Sequence, residues 1–399
     1  MDKYPGVMFD ADTHIYERSD AWTRHLPAQY KEKFAVTHRK KDNGNLALYI
    51  GDKEVTTSDG YLKYGPNGES LIPKPGSLKE FLKALKTGSA TYQYVPITED
   101  MLSADARLVK MDEFNVAACM LYPGENNSVP GYFDDGDALH AVQHAYNQYL
   151  VDEWGGFNYK GRINLTPVVA MENVELAVKE VEFALRHGAR AVMMPLGPVG
   201  GRSPADPCFD PIWGRLNEAH AIVTYHISEA KHMHPTLRQW GEEPLASRQK
   251  QSAWMWLNCF GQVPLTQTLS SLIFHNLFNR FPNLKVLSAE NGAEWMPQLL
   301  TNMDKMRGMA RNGYWRCGAL PERPSKIFNR HVYVVAYPED DIKSIVESTG
   351  YSANILMGSD YPHAEGVPAP SDFIIACEGL SADETRGIMH DNAQRMIAV

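Results

Sequence analysis

Apolar positions along this chain gather into short runs, and polar and apolar positions between the runs alternate with a helical period. The first run, "GVMFDADTH" (6–14), is followed by 116–123 ("VAACMLYP"), 162–170 ("RINLTPVVA"), 189–197 ("ARAVMMPLG") and 221–228 ("AIVTYHIS"). Three more complete the set: 283–290 ("NLKVLSAE"), 331–337 ("HVYVVAY") and 354–360 ("NILMGSD"). The stretches between them, such as "ALHAVQHAYNQYLVDEW" and "VELAVKEVEFALRHG", space their apolar residues as one face of a helix, and the second ends in Gly188, a C-terminal helix signal. Strands that are apolar nearly throughout are covered on both faces, and alternation with helices predicts a parallel sheet. Eight such units predict an α/β fold of the (β/α)8 TIM-type barrel kind. A doubly wound sheet is the runner-up, but no glycine-rich phosphate turn follows the first strand.

Two stretches break the rhythm. After the first strand, 15–97 carries "KKDNGNLALYIGDKEVTTSDGYLKYGPNGES", whose alternating runs and Gly/Asn/Asp turns predict a small β-hairpin insertion. After the fifth strand, 229–263 holds His232, His234, Trp240, Trp254 and Trp256. Long βα connections lie over the catalytic face of a barrel, so this segment is expected to form a lid or an interface. The whole chain, 1–399, is then one barrel domain with two insertions, and the tryptophans of the second suggest a homo-oligomer or a hetero-oligomer with a related subunit.

Composition narrows the class. Apolar residues make up 44% and charged residues 22% of the 399, as in a soluble globular protein. A net charge of −9 supplies no basic face for nucleic acid. No apolar run is long enough to span a bilayer, and "MDKYPGV" lacks the apolar core of a signal peptide. The five cysteines are scattered without a CxxC pair, which fits reduced thiols and a cytoplasmic setting.

The chemistry is at the strand ends. Asp10, Asp12 and His14 alternate along the first strand, His226 ends the fifth, Glu290 the sixth and Asp360 the eighth. The carboxyl ends of parallel barrel strands converge on one rim. A single histidine in such a place is usually a hydrogen-bonded core group. Five ionisable residues on four strands are costly to bury unless paired or bound to a metal, so Asp12, His14, His226, Glu290 and Asp360 are read as a metal site.

Three stretches carry a resemblance: "DADTH", "FNRFPNLKVLSAENGAEWMP" (278–297) and "MGSDYPHAEG" (357–366). Together they resemble the amidohydrolase-related family that includes aminocarboxymuconate-semialdehyde decarboxylase and the resorcylate decarboxylases. The resemblance implies a (β/α)8 barrel with one or two divalent metals at the strand ends. It matches Asp12 and His14 to the first-strand ligand pair, His226 to the fifth-strand ligand and Asp360 to the eighth-strand carboxylate. The chain departs from that pattern in three places. Its first pair is Asp-x-His rather than His-x-His, its sixth strand ends in Glu290 rather than a proton-handling histidine, and no Lys or Glu ends the fourth strand ("VMMPLGP"). A carboxylate-rich set suits iron or manganese and can bridge two ions, with zinc as the alternative metal. Glu290 is then a candidate bridge, and His275, which interrupts an apolar helix, a candidate ligand to a second ion. His232 and His234 could chelate or simply belong to a solvated lid.

In these respects the sequence is similar to the family's dinuclear oxygenase branch, in which hydroxylation of 2-aminoisobutyrate is one activity. The leading expectation is therefore a dinuclear Fe or Fe/Mn oxygenase that hydroxylates a small amino or carboxylic acid with O2 as co-substrate, using Glu290 and His226 in catalysis. The alternative is a mononuclear metal-dependent decarboxylase or hydrolase of a small carboxylic acid, with Glu290 or His363 moving the proton. A non-catalytic partner subunit is a third reading, disfavoured by the intact set of strand-end residues. Glu229 and His363 are candidate substrate contacts, as is Lys231. Arg24, Arg162, Arg190 and Arg202 could each clamp a carboxylate but are more ordinary as salt-bridge partners. Trp295 is expected to pack beneath the sixth strand or to wall the pocket.

Overall fold

The computed structural model describes residues 3–58, 60–87, 92–228, 230–247 and 250–398. Eight parallel strands follow one another along the chain: β1 (Met8–His14), β2 (Val116–Tyr122), β3 (Ile163–Leu165), β4 (Ala191–Met193), β5 (Ile222–His226), β6 (Lys285–Ala289), β7 (Val332–Val335) and β8 (Ile355–Leu356). β1 to β3 pair in one arc and β4 to β8 in a second. Parallel bridges join the arcs at Val168–Met193 and at Thr13–Tyr361. Around the first bridge the Met193 N–H donates to the Pro167 carbonyl at 2.8 Å and the Val169 N–H to that of Met193 at 2.9 Å. Around the second, the His14 N–H donates to Tyr361 O and the Asp360 N–H to Asp12 O, each at 2.8 Å. These bridges carry the pairing from one arc to the other on both sides, as in a barrel and unlike a doubly wound sheet. Every residue of β1 and of β5 is buried, as the near-continuous apolar runs require.

Helices cover the outside, with ends set by local chemistry. Asp135 caps the helix Gly136–Trp154 by accepting the Ala138 N–H, and Gly155 ends it at φ +71°, a conformation that glycine reaches without penalty. Asn173 accepts the N–H groups of Glu175 and Leu176 at the start of Val174–Arg186.

The first strand carries an irregularity with consequences for the site. The β1–β2 register shifts between Asp10 and Thr13, so simple alternation no longer places Asp10 with Asp12 and His14. Asp10 instead accepts the Ser359 N–H at 2.9 Å and its hydroxyl at 2.5 Å.

The insertion is larger than a hairpin. Among the described residues it holds the helices Ala28–Phe34 and Leu78–Thr87 and an antiparallel sheet whose strands run from Val36–Lys40 to Val95–Pro96. The connection after β5 forms the short helices His234–Gln239 and Ala253–Cys259, with Trp240 stacked on Trp254 and Trp256 on Phe260. Among the described residues, no helix is long and apolar enough to cross a membrane.

Candidate metal centre and active site

The strand-end residues meet at the carboxyl rim of the barrel. His14 Nε2 and His226 Nε2 lie 3.2 Å apart. Asp12 Oδ1 is 3.5 Å from each of them. Glu290 Oε2 is 3.1 Å from His226 Nε2 and 3.7 Å from His14 Nε2, and Asp360 Oδ1 is 3.3 Å from His14 Nε2. Both of the later carboxylates sit at positive φ, Glu290 at +52° and Asp360 at +54°. Glu290 directly follows β6 and Asp360 lies four residues beyond β8, and at each the chain makes an abrupt left-handed turn, a conformation sparsely populated by non-glycine residues. Tyr337 donates its hydroxyl to the Glu290 carbonyl at 2.7 Å and so braces that turn.

The hydrogen bonding of the imidazoles shows what the cluster is built to hold. His14 Nδ1 is 2.8 Å from the Pro123 carbonyl and His226 Nδ1 is 3.1 Å from the Ile227 carbonyl. Carbonyls only accept, so each Nδ1 carries a proton and each Nε2 faces the centre, where it offers a lone pair when the ring is neutral. Two lone pairs facing across 3.2 Å repel one another unless a cation lies between them. Asp12 Oδ1, buried in the same place, accepts no hydrogen bond, an expensive state for a carboxylate without a counter-ion. In the protein alone the imidazoles must supply that counter-charge. Burial opposes the charging of His226, but Glu290 and Asp12 outweigh it and push its pKa up to about 10. Asp12 is also resisted by burial, yet His14 and His226 hold it below the usual carboxylate range. Asp360 is raised well above that range by burial and by the charges of Glu290 and Glu365.

Nitrogen and carboxylate donors in this arrangement fit a divalent cation of the manganese, iron or zinc kind. Two overlapping ligand sets occur, Asp12/His14/His226 and His14/Glu290/Asp360/His363. They share His14, whose Nε2 has one lone pair to give, so His14 can serve only one ion.

This centre forms the floor of a cavity of about 620 Å3. Tyr16, Tyr61 and Leu82 from the insertion and Leu245, Trp256 and Phe260 from the connection after β5 line it, with Tyr132 and Tyr337. Asp12, His226, Glu290, Asp360 and His363 reach it from the rim. His363 donates to or accepts from Asp360 Oδ1 through Nδ1 at 2.8 Å and stacks on His14 with ring centroids 4.0 Å apart.

Of the residues singled out in the sequence, Asp12, His14, His226, Glu290, Asp360 and His363 come together. His275 does not. It follows the helix Gln262–Phe274, its carbonyl accepts from Arg280 at 2.9 Å, and its charge environment is set by burial, Arg316 and Asp206. Helical periodicity gave its face but not which end of the barrel the helix would present. Glu229 lies outside the described residues. His232 packs over Gly197 and faces Gln267 at 3.2 Å, and His234 is buried at the start of its short helix; neither joins the cluster. Lys231 binds the Phe133 carbonyl and Asp134. Arg24 pairs with Asp20 and Glu153, Arg162 holds the Ala117 and Val116 carbonyls, Arg202 faces Asp206, and Arg190 is exposed. Trp295 is buried against Phe328, donates to the Gly292 carbonyl at 2.7 Å and does not line the cavity. The tyrosine walls and Asn127, whose amide lies 3.3 Å from His226 Nδ1, went unread. They sit in loops whose meeting no local pattern announces.

The chain belongs to the amidohydrolase family, whose model matches residues 99–398. An amidohydrolase from Mycobacterium avium subsp. paratuberculosis K-10 is 27% identical with a TM-score of 0.81, over 99% of this chain and 98% of that one. The 5-carboxyvanillate decarboxylase of Sphingomonas paucimobilis is similar in fold, at 15% identity and a TM-score of 0.58 over 98% of both chains. So is a dihydroxybenzoic acid decarboxylase from Polaromonas sp. JS666 with bound manganese and the inhibitor 2-nitroresorcinol, at 14% identity and a TM-score of 0.60 over 98% of this chain and 97% of that one. No curated protein matches the chain. The chain is a metal-dependent enzyme of the amidohydrolase family.

Proposed function

We propose that the protein is a mononuclear, metal-dependent decarboxylase of a small aromatic carboxylic acid. The observation that carries this reading is a pair of candidate ligand sets that overlap on His14 at the floor of a cavity of about 620 Å3 walled by aromatic side chains, a size and lining suited to a small planar ligand. The similarity in fold to decarboxylases of substituted benzoates supports it. The dinuclear oxygenase expected from the sequence finds less support. The extra nitrogen it invoked, His275, is tied to the Arg280 and Arg316 surroundings, and the ligand groups overlap on His14.

A divalent cation held by Asp12, His14, His226 and Glu290 would supply Lewis acidity toward the substrate carboxylate. The remaining work falls to the chain. Tyr61, Phe260 and Tyr337 hold the ring, and the two insertions limit access of water. Asp360, which burial and the charges of Glu290 and Glu365 raise above the usual carboxylate range and whose Oδ1 meets His363 Nδ1 at 2.8 Å, delivers a proton to the ring carbon that bears the carboxylate. The C–C bond then breaks, its electron pair restores the aromatic ring and CO2 leaves. The test is CO2 release from a panel of hydroxy- and methoxybenzoates under anoxia, with protein loaded separately with manganese and with zinc. Release from at least one acid is expected. No release from any of them, with substrate-dependent O2 uptake by the iron-loaded protein, would overturn the reading in favour of the oxygenase.

A further inference from the structure

The loop that follows β2 accepts the hydrogen bond that orients His14 and packs against His226. The Pro123 carbonyl takes the His14 Nδ1 proton at 2.8 Å, and the Asn127 amide lies 3.3 Å from His226 Nδ1. Between these two residues, the chain turns around a buried carboxylate that comes from elsewhere. Glu17 Oε1 accepts the N–H groups of Gly124 at 3.0 Å and Asn126 at 3.4 Å, and the Tyr146 hydroxyl at 2.8 Å. Its Oε2 accepts the Glu125 N–H at 3.0 Å. Four donors converge on one side chain, three of them successive backbone groups of the loop. The fit is close: a Cβ at Gly124 would lie 2.4 Å from the Ile15 carbonyl oxygen and 3.0 Å from Glu17 Oε2. The loop is held from the outside as well, where Asn126 takes the Trp22 indole N–H at 2.8 Å and donates to Gln143 at 2.8 Å.

Glu17 itself touches neither imidazole and does not line the cavity. We propose that Glu17 is a positioning residue of the metal centre: by gathering the N–H groups of Gly124, Glu125 and Asn126 it fixes the loop whose Pro123 carbonyl sets the orientation of His14 and whose Asn127 packs beside His226. Outer contacts of this kind keep a ligand's tautomer and ring plane fixed before the metal arrives. The inference rests on a cation at the strand-end cluster and not on the reaction carried out there, so it is tested by cation binding rather than by turnover.

Glu180 provides the comparison within the same molecule. It is as buried as Glu17 and also accepts several donors, Asn147 at 2.7 Å and His144 at 2.7 Å, but it lies between helices and bonds no residue of the loop. Glu17→Gln keeps the side-chain shape while turning a donor toward N–H groups that need acceptors. The experiment titrates cobalt into the metal-free full-length parent and the Glu17→Gln and Glu180→Gln variants, reading affinity by chelator competition and geometry by the visible cobalt spectrum. Circular dichroism reports the fold. Glu17→Gln is expected to weaken cobalt binding by about 10–100-fold and to shift the visible bands, whereas Glu180→Gln keeps the parent's spectrum and affinity. A folded Glu17→Gln protein with the parent's affinity and spectrum overturns the proposal. If that variant does not fold, Tyr146→Phe removes one donor of the four. A smaller loss of affinity with a shifted spectrum then supports the proposal, and an unchanged affinity and spectrum overturns it. The parent's own cobalt stoichiometry reports separately on the centre, since a parent that takes up no cobalt overturns the metal-site reading itself.

Discussion

Two groups of carboxylates have opposite surroundings. Asp12, Glu290 and Asp360 converge on two imidazole nitrogens, and Asp12 Oδ1 accepts no hydrogen bond. Glu17 and Asp10 are buried, yet each is met by donors: three backbone N–H groups and a tyrosine hydroxyl for Glu17, two backbone N–H groups and a serine hydroxyl for Asp10. Burial therefore does not separate a ligand from a strut. The count of donors does. A carboxylate already satisfied by N–H groups has little to offer a cation, whereas one left short of donors among imidazole lone pairs is waiting for a charge.

Experiments can press on that difference, from large effects to small. His226→Ala removes a nitrogen that only a cation can satisfy. The variant is expected to retain no metal after dialysis, measured by elemental analysis, and to lose about 10³-fold or more in CO2 release, since a Lewis acid contributes several kcal/mol. His363→Asn removes the partner of Asp360, and a loss of about 10–100-fold in kcat with metal retained would separate support from ligation. Glu180→Gln should cost about 1–3 kcal/mol in denaturant unfolding, the cost of buried donors left without an acceptor, and leave metal content unchanged. His38 offers a pH test of the strut side. Burial alone would lower its pKa, but Glu125, whose Oε2 lies 2.5 Å away, and Glu17 raise it above the usual value. A histidine whose folded pKa is raised adds stability below about pH 6.5 and loses it as pH climbs through the folded value. At saturating metal, the melting temperature should fall with pH above about 6.5 in the parent and fall less steeply in His38→Gln. The smallest effect is expected at His275→Ala, which should change neither metal content nor activity.

Much of this was legible in the order of residues. Eight apolar runs separated by helical patterns predict a parallel sheet, because strands buried on both faces must be apolar throughout, and the number eight favours a barrel. The strand-end positions of Asp12, His14, His226, Glu290 and Asp360 follow from that topology alone. Asp10 shows the limit. Strict alternation put it with Asp12 and His14, and a register shift that no local signal announces sent it to Ser359. His275 shows another, since periodicity fixes a helix face but not the depth at which a residue stands along the barrel. The sheet in 15–97 was underread because strands of two or three residues, such as Lys53–Glu54 and Ser70–Ile72, are too short to display alternation. Glu17 was invisible for a different reason: its partners lie more than a hundred positions away.

The left-handed backbone at Glu290 and Asp360 has a consequence for descent. Of the ordinary residues, glycine, asparagine and aspartate enter that conformation most readily, and β-branched ones hardly at all. A lineage that abandons this chemistry therefore has few inexpensive exits at these two positions, and Asn or Gly is the substitution that keeps the turn while discarding the charge. Relatives in which both positions have drifted to Asn or Gly would keep the shape of the rim as a vestige, recognisable as retired catalysts from two letters of their sequence.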